Sequence, residues 1–223
     1  MRVLRSAVAT VLSLALFAAV AVAAVVNGTN GNDILGGTPK ADKIRGKGGN
    51  DILGGNAGSD ILRAGSGNDE VYGMRGRDET YGGPGADYLS EFDPLGANTA
   101  RASRRAQRRG GGSDLPGKDR MFGGGGEDFM ESSLGADLMK GGGGSDEMYG
   151  DPGNDRMFGG NGDDDLVGEQ GADRMFGGEG NDQLDAQDND NGKIDRINCG
   201  PGLDVAFFNV EDIVSDNCEI QNP

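Results

Sequence analysis

The chain has 223 residues, of which 44 are glycine and only 5% aromatic, with no histidine or tryptophan and a net charge of −16. This composition excludes an ordinary globular core and histidine-based catalysis, and so acidic a chain is not expected to bind nucleic acid. It predicts an expanded polymer in plain water unless a multivalent cation neutralises the carboxylates, because charge repels and little apolar surface offsets the chain entropy.

Residues 1–26 form a segment of their own. Arg2 and Arg5 make a positive start, an apolar run extends from Ala7 to Val26, and Ala21-Val22-Ala23 supplies an A-x-A cleavage signal. The segment reads as a signal peptide. The alternative is a retained membrane anchor, since about twenty apolar residues can span a bilayer. In either case the rest of the chain is expected outside the cytoplasm, secreted or at the cell surface, and a membrane contact only if the segment is retained. Its removal takes the net charge to −18.

From residue 27 onward the sequence follows a nine-residue phrase, G-G-x-G-x-D-x-U-x, where U is large and apolar. Gly177-Gly178-Glu179-Gly180-Asn181-Asp182-Gln183-Leu184-Asp185 shows it most clearly. Seven copies run from Gly28 to Ser90, eight from Asp114 to Asp185, and two looser ones start at Asp190 and Cys199; the sixth position is aspartate in all of them. A period this regular decides the fold. Glycines at positions 1, 2 and 4 permit a turn, and positions 7 to 9 make a short strand with U pointing inward. Each unit reverses the chain, so two units close a coil of 18 residues. Coils stack into two parallel sheets with the U residues between them, and stacking is obligatory because one unit cannot bury its apolar side alone. The predicted fold is therefore all-β, a parallel β-roll (a β-solenoid) of nine-residue repeats.

The inward positions of the first run (27–90) are Leu35, Ile44, Leu53, Leu62, Val71, Thr80 and Leu89. Residues 91–113 then break the period. They hold Arg101, Arg104, Arg105, Arg108 and Arg109 and the run Gly110-Gly111-Gly112, and they read as a flexible insertion or linker. Such a basic stretch could attach the protein to an anionic polymer, invite proteolysis, or fold back on its acidic neighbours. With this interruption, two rolls are expected.

In the second run (114–185) the inward residues are Met121, Met130, Met139, Met148, Met157, Leu166, Met175 and Leu184. The methionine stripe reads as core filling. Asp-Arg-Met-Phe-Gly-Gly recurs at 119–124, 155–160 and 173–178, which places Arg120, Arg156 and Arg174 beside Phe122, Phe158 and Phe176 on one outer face. That face is either a contact surface or a set of ladder neighbours packing on one another. Residues 186–223 contain degenerate repeats and a terminal cap, with Phe208, Val210, Ile213, Val214 and Ile220 available to cover the last layer. The stretch from Gln187 superficially resembles an EF-hand loop but has Gln187 at the first ligand position and Asn198 at the twelfth. In an oxidising compartment the two cysteines, Cys199 and Cys218, are expected to form a disulfide closing the cap; a metal-thiolate site lacks further ligands.

Glycine turns direct carbonyls inward and the sixth-position aspartate adds charge, which suits Ca²⁺ with its six to eight oxygen ligands better than Mg²⁺. On these residues the chain resembles the haemolysin-type, or RTX, calcium-binding repeat family, over residues 28–90 and 114–207. The resemblance implies a parallel β-roll that binds several calcium ions, each between turns one coil apart. It carries the ligand role over to Asp33, Asp42, Asp51, Asp60, Asp69, Asp78 and Asp87 in the first run. In the second run the ligands would be Asp119, Asp128, Asp137, Asp146, Asp155, Asp164, Asp173 and Asp182. Lys40 beside Pro39 departs from the pattern in the Asp42 turn, and Glu91 is expected to abolish the turn above Asp78. The expected function is an exported calcium-binding protein that folds on binding Ca²⁺ and serves as a scaffold or adhesion module, not an enzyme, since no carboxylate pair outside the repeats is set apart for catalysis. An anionic cell-surface polymer or another protein is the expected partner. The alternative is a non-catalytic remnant or accessory module of a calcium-dependent secreted hydrolase.

Overall fold

The computed structural model describes residues 23–91, 117–187 and 193–222; the expected signal peptide before residue 23 and the arginines of the 91–113 stretch lie outside these residues. The described residues form two parallel sheets of ten strands each and a two-stranded one that pairs Ala57–Gly58 with Arg75–Gly76. One sheet takes every second repeat, from Val25–Asn27 and Lys43–Gly48 to Arg196–Asn198 and Ile213–Val214. The other takes the alternate repeats, from Ile34–Gly36 and Ile52–Gly54 to Val205–Phe207 and Ile220–Asn222. Within each run of repeats the ladders join residues 18 apart, as in Met139↔Met157 and Leu166↔Leu184. This is the right geometry for a coil of two nine-residue units.

The core lies between the sheets. Every inward residue from Ile44 to Leu184 is fully buried, and Leu35 packs against the same cluster at the N-terminal end. Burying each large side chain contributes roughly 1.5–3 kcal/mol, and the rungs supply one such layer after another. The methionines do not converge on a point. Met121, Met139, Met157 and Met175 climb one ladder in register, so they fill the core.

The expectation of two rolls is corrected. Strand Glu79–Pro84 pairs with Arg120–Gly125 (Thr80↔Met121), and Tyr88–Ser90 pairs with Phe129–Glu131 (Leu89↔Met130), so one roll runs through the interruption. The extra residues enter within a single turn. Both sheets keep their register because Glu91 still occupies position 1 of that turn: its N–H donates to the Glu131 carbonyl (3.2 Å), as the Gly73 N–H does to that of Ser90 (3.0 Å).

The two sides of the roll use different turns. On the side leading from the first sheet to the second, positions 2 and 4 are mostly glycines with positive φ, for example Gly160 (+126°) and Gly162 (+125°), with Lys47 (+94°) at position 2 of one turn. On the opposite side, position 2 is a left-handed non-glycine residue in Asn56, Met74, Asp151 and Glu169.

On the outer face the aromatic rings pack along the ladder. Phe158 stacks on Phe176 (centroids 4.8 Å) and Tyr81 on Phe122 (4.8 Å), while Lys140 Nζ and the Arg156 guanidinium lie over the Phe158 ring at 5.5 and 5.6 Å. The aromatics thus cover one another, as cross-strand neighbours do. At the C-terminal end Cys199 and Cys218 form the disulfide, with Cα atoms 5.2 Å apart, and Phe208 and Val214 pack on the core. Val210 and Ile213 do not join them; they are 89% and 49% exposed.

Candidate functional site

The sixth-position aspartates form two rows, one along each side of the roll. On one side the backbone N–H of Asp33 donates to Asp51 Oδ1 (2.8 Å), and the relation repeats through Asp69, Asp87, Asp128, Asp146, Asp164 and Asp182 at 2.7–2.9 Å. On the other it runs from Asp42 through Asp60, Asp78, Asp119, Asp137 and Asp155 to Asp173 at 2.6–2.8 Å. All fifteen aspartates expected from the sequence stand in these rows, and the step across the insertion spans 41 residues where the others span 18. Asp182 and Asp164, two phrases apart in sequence, are joined in this way (2.9 Å).

The rows are longer than the repeat pattern suggests. Asp195, Asp204 and Asp212 extend them, and Glu219 Oε2 accepts from the Asp204 N–H (2.9 Å). Asp195 and Asp204 were legible as sixth positions of the looser copies; Asp212 and Glu219 carry no repeat signal. Glu91 is the other residue missed. Its carboxylate is 3% exposed and lies with those of Asp78 and Asp119, with carboxylate oxygens all within 4.8 Å.

Each row has the same chemistry. One carboxylate oxygen ties coil to coil, which leaves Oδ2. In Asp51, Asp60, Asp69, Asp87, Asp128, Asp146, Asp155, Asp164 and Asp182 this atom is buried and accepts no hydrogen bond. Its neighbours are also acceptors. A Cβ built on Gly55 would lie 2.6 Å from both Asp60 Oδ2 and the Gly73 carbonyl oxygen of the next coil, and one on Gly28 would lie 2.7 Å from both Asp33 Oδ2 and the Gly46 carbonyl. Gly141, Gly159 and Gly177 repeat the arrangement with Asp146, Asp164 and Asp182. Carboxylate and carbonyl oxygens facing one another in a buried space repel unless a cation or proton lies between them. An all-oxygen cradle of backbone carbonyls and carboxylates, repeated coil after coil, fits Ca²⁺.

The first turn on each side departs from this pattern. Thr29 donates through its N–H (2.6 Å) and hydroxyl (2.9 Å) to Asp33 Oδ2, and Thr38 donates to Asp42 Oδ2 in the same way (2.5 and 3.0 Å). The oxygen left open elsewhere is satisfied here by threonine.

Burial pushes the carboxyls of Asp60, Asp87, Asp128 and Asp164 up to about 7 and that of Asp155 up to about 9; a backbone hydrogen bond within the row opposes the shift and the neighbouring aspartate's charge adds to it. Burial also raises Glu91 well above the usual carboxylate range, with Asp119 and Asp78 adding to the effect. In the metal-free roll, a carboxyl at about 7 against 3.8 in the open chain stabilises the fold fully below 3.8 and loses that contribution as pH rises through 7. In calcium-depleted buffer, strand circular dichroism is therefore expected to grow from about pH 8 to about pH 5, while calcium affinity falls over the same range as protons compete. A strand signal that declines on acidification would contradict this.

The model of the RTX calcium-binding nonapeptide repeat (4 copies) matches the chain at residues 27–62, 54–89, 113–139, 122–157, 131–166, 149–184 and 158–191. No curated protein matches it. These repeats bind multiple calcium ions, and the buried aspartate rows suit that chemistry. With the matched segments covering well over half the sequence, and with a β-roll whose turns present rows of carboxylate and carbonyl oxygens, the chain belongs to the RTX calcium-binding nonapeptide repeat family.

Proposed function

We propose that the protein is an exported calcium-dependent scaffold or adhesion module, whose roll forms when Ca²⁺ binds and whose outer surface then contacts an anionic polymer at the cell surface. The observation that carries this is the buried, unpartnered Oδ2 atom repeated along both rows. At neutral pH a chain with a net charge of −16 buries such atoms beside carbonyls only by protonating them or by taking up a counter-ion, so calcium-binding free energy becomes folding free energy. The ligands are the fifteen aspartates from Asp33 to Asp182, each ion lying between turns one coil apart. Asp33 and Asp42 hold calcium most weakly, because threonine already satisfies them.

Two observations support export and a surface role. Ala24, the residue after the Ala21-Val22-Ala23 signal, begins the first rung: its N–H donates to Asp42 Oδ1 and its carbonyl accepts from the Lys43 N–H (2.9 Å). Cleavage after Ala23 would leave the roll whole. On the outer face of the first sheet, Arg156, Arg174 and Arg196 stand exposed and in register. Like charges opposite one another are unfavourable, and an anionic polymer laid along the strip would neutralise them.

The secreted chain is expected to begin at Ala24 by mass spectrometry and to be retained on an anionic polysaccharide matrix in calcium. Substituting Arg156, Arg174 and Arg196 together by glutamine is expected to abolish retention without altering strand content. A full-length N-terminus would overturn cleavage, and unchanged retention of the triple variant would overturn the arginine strip as the contact.

A further inference from the structure

Glu91 stands where the other turns carry a small residue. Among the described residues position 1 is glycine in most turns, and otherwise Ala64, Ser132, Ala186 or Cys199. The Glu91 main chain pairs as an ordinary position 1, but its side chain turns back into the space beside Gly73, where a Cβ on that glycine would collide with the carboxylate. In the neighbouring Gly55 turn the corresponding space is walled by one carboxylate and one carbonyl oxygen. Here the wall is a third carboxylate. Asp78, Glu91 and Asp119 are each no more than 3% exposed and bring carboxylate oxygens within 4.8 Å of one another. Both Glu91 oxygens and Asp78 Oδ2 are buried without a hydrogen-bond partner.

We propose that Glu91 joins the row aspartates Asp78 and Asp119 in one cation site, which holds one hard divalent ion more tightly than any ordinary turn. The inference rests on the reading that the roll binds calcium, and adds to it a ligand that the nonapeptide pattern does not encode. Three buried carboxylates concentrate more charge than the repeat's own turn, and calcium affinity rises with the number of charged ligands. Glu91 is the last described residue before the insertion and Asp119 lies just after it, so the bound ion ties together the points where the chain leaves and rejoins the roll. It fastens the coil whose sequence continuity is broken.

The test is a calcium-binding isotherm of the whole secreted chain, measured by calorimetry with the metal alone. One ion is expected to bind roughly tenfold or more tightly than the remainder, and Glu91→Gln is expected to remove that ion while the weaker sites keep their number and affinity. Glu91→Gly, which restores the small residue of the other turns, is expected to give the same loss and guards against a defect peculiar to glutamine. A wild-type isotherm without a tight class, or one that Glu91→Gln leaves unchanged, would overturn the proposal: protons would then neutralise the cluster, with the repeat sites intact. A wild-type chain that binds no calcium at all would overturn the repeat reading as well, so the two failures are distinguishable.

Discussion

Gly144→Ala is expected to lower the melting temperature of the calcium-loaded roll by roughly 6–12 °C, a loss of about 3 kcal/mol, while Gly143→Ala leaves it unchanged or slightly higher. The two residues are adjacent in one turn. Gly144 has φ of +122°, a conformation essentially reserved for glycine, and a Cβ there would run into the backbone carbonyl of Gly126 in the preceding coil. A Cβ on Gly143 meets nothing within 4 Å. Glycine content alone would rank the two substitutions equally; stacking separates them. Thermal unfolding at saturating calcium reads the difference. Equal effects at both positions would mean that the coils do not stack as described.

Asp155→Asn is expected to have opposite effects with and without calcium. The Asp155 side chain is fully buried; its Oδ1 accepts from the Asp137 N–H (2.7 Å) and its Oδ2 has no hydrogen-bond partner. Asparagine keeps the acceptor and removes the charge. Without calcium the substitution removes the cost of protonating this buried carboxyl on folding, so the roll is no less stable than the wild type. With calcium it removes a charged ligand, and the calcium concentration at half-folding is expected to rise tenfold or more, about 1.4 kcal/mol. Asp155→Ala also deprives the buried Asp137 N–H of its acceptor, which costs roughly 1–3 kcal/mol in either condition. If Asp155→Asn weakened the metal-free and calcium-loaded forms alike, the aspartate would be a structural hydrogen-bond acceptor and nothing more.

Much of this could be read from the sequence, because the period fixes three things together. The apolar eighth position fixes which side chains enter the core, from Ile44 to Leu184. The 18-residue coil fixes which residues become neighbours, and the invariant aspartate then falls into two rows. What could not be read depends on contacts outside the period. The insertion suggested a break between two rolls, since nothing in residues 91–113 shows that Asp78 and Asp119 would bond across 41 residues. Glu91 looked like the loss of a turn because it departs from glycine; its role appears only once its carboxylate is placed beside those of Asp78 and Asp119. Thr29 and Thr38 occupy an ordinary variable slot, and that they satisfy Asp33 and Asp42 depends on rotamers. For the arginine and phenylalanine face, register alone left open whether the rings meet a partner or each other, and the stacking of Phe158 on Phe176 decides it.

The insertion gains a physical meaning from the single roll. A solenoid tolerates added residues in a turn as long as the turn's first residue and its sixth-position aspartate keep their rungs, because each coil contacts only its neighbours. Glu91 and Asp119 do so here. The loop-closure cost of such an addition grows only slowly with length, so an arginine-rich stretch can be carried on an acidic roll without breaking either sheet.

The central claim is that calcium binding and folding are one event. Far-ultraviolet circular dichroism of the chain from Ala24 onward tests it most directly, starting from calcium-depleted protein at neutral pH and titrating Ca²⁺, with Mg²⁺ in parallel. The account predicts little strand signal at the start, a cooperative rise with Ca²⁺, and a much weaker response to Mg²⁺, which prefers a tighter octahedron and retained waters. A full strand signal already present in excess chelator at neutral pH would contradict it.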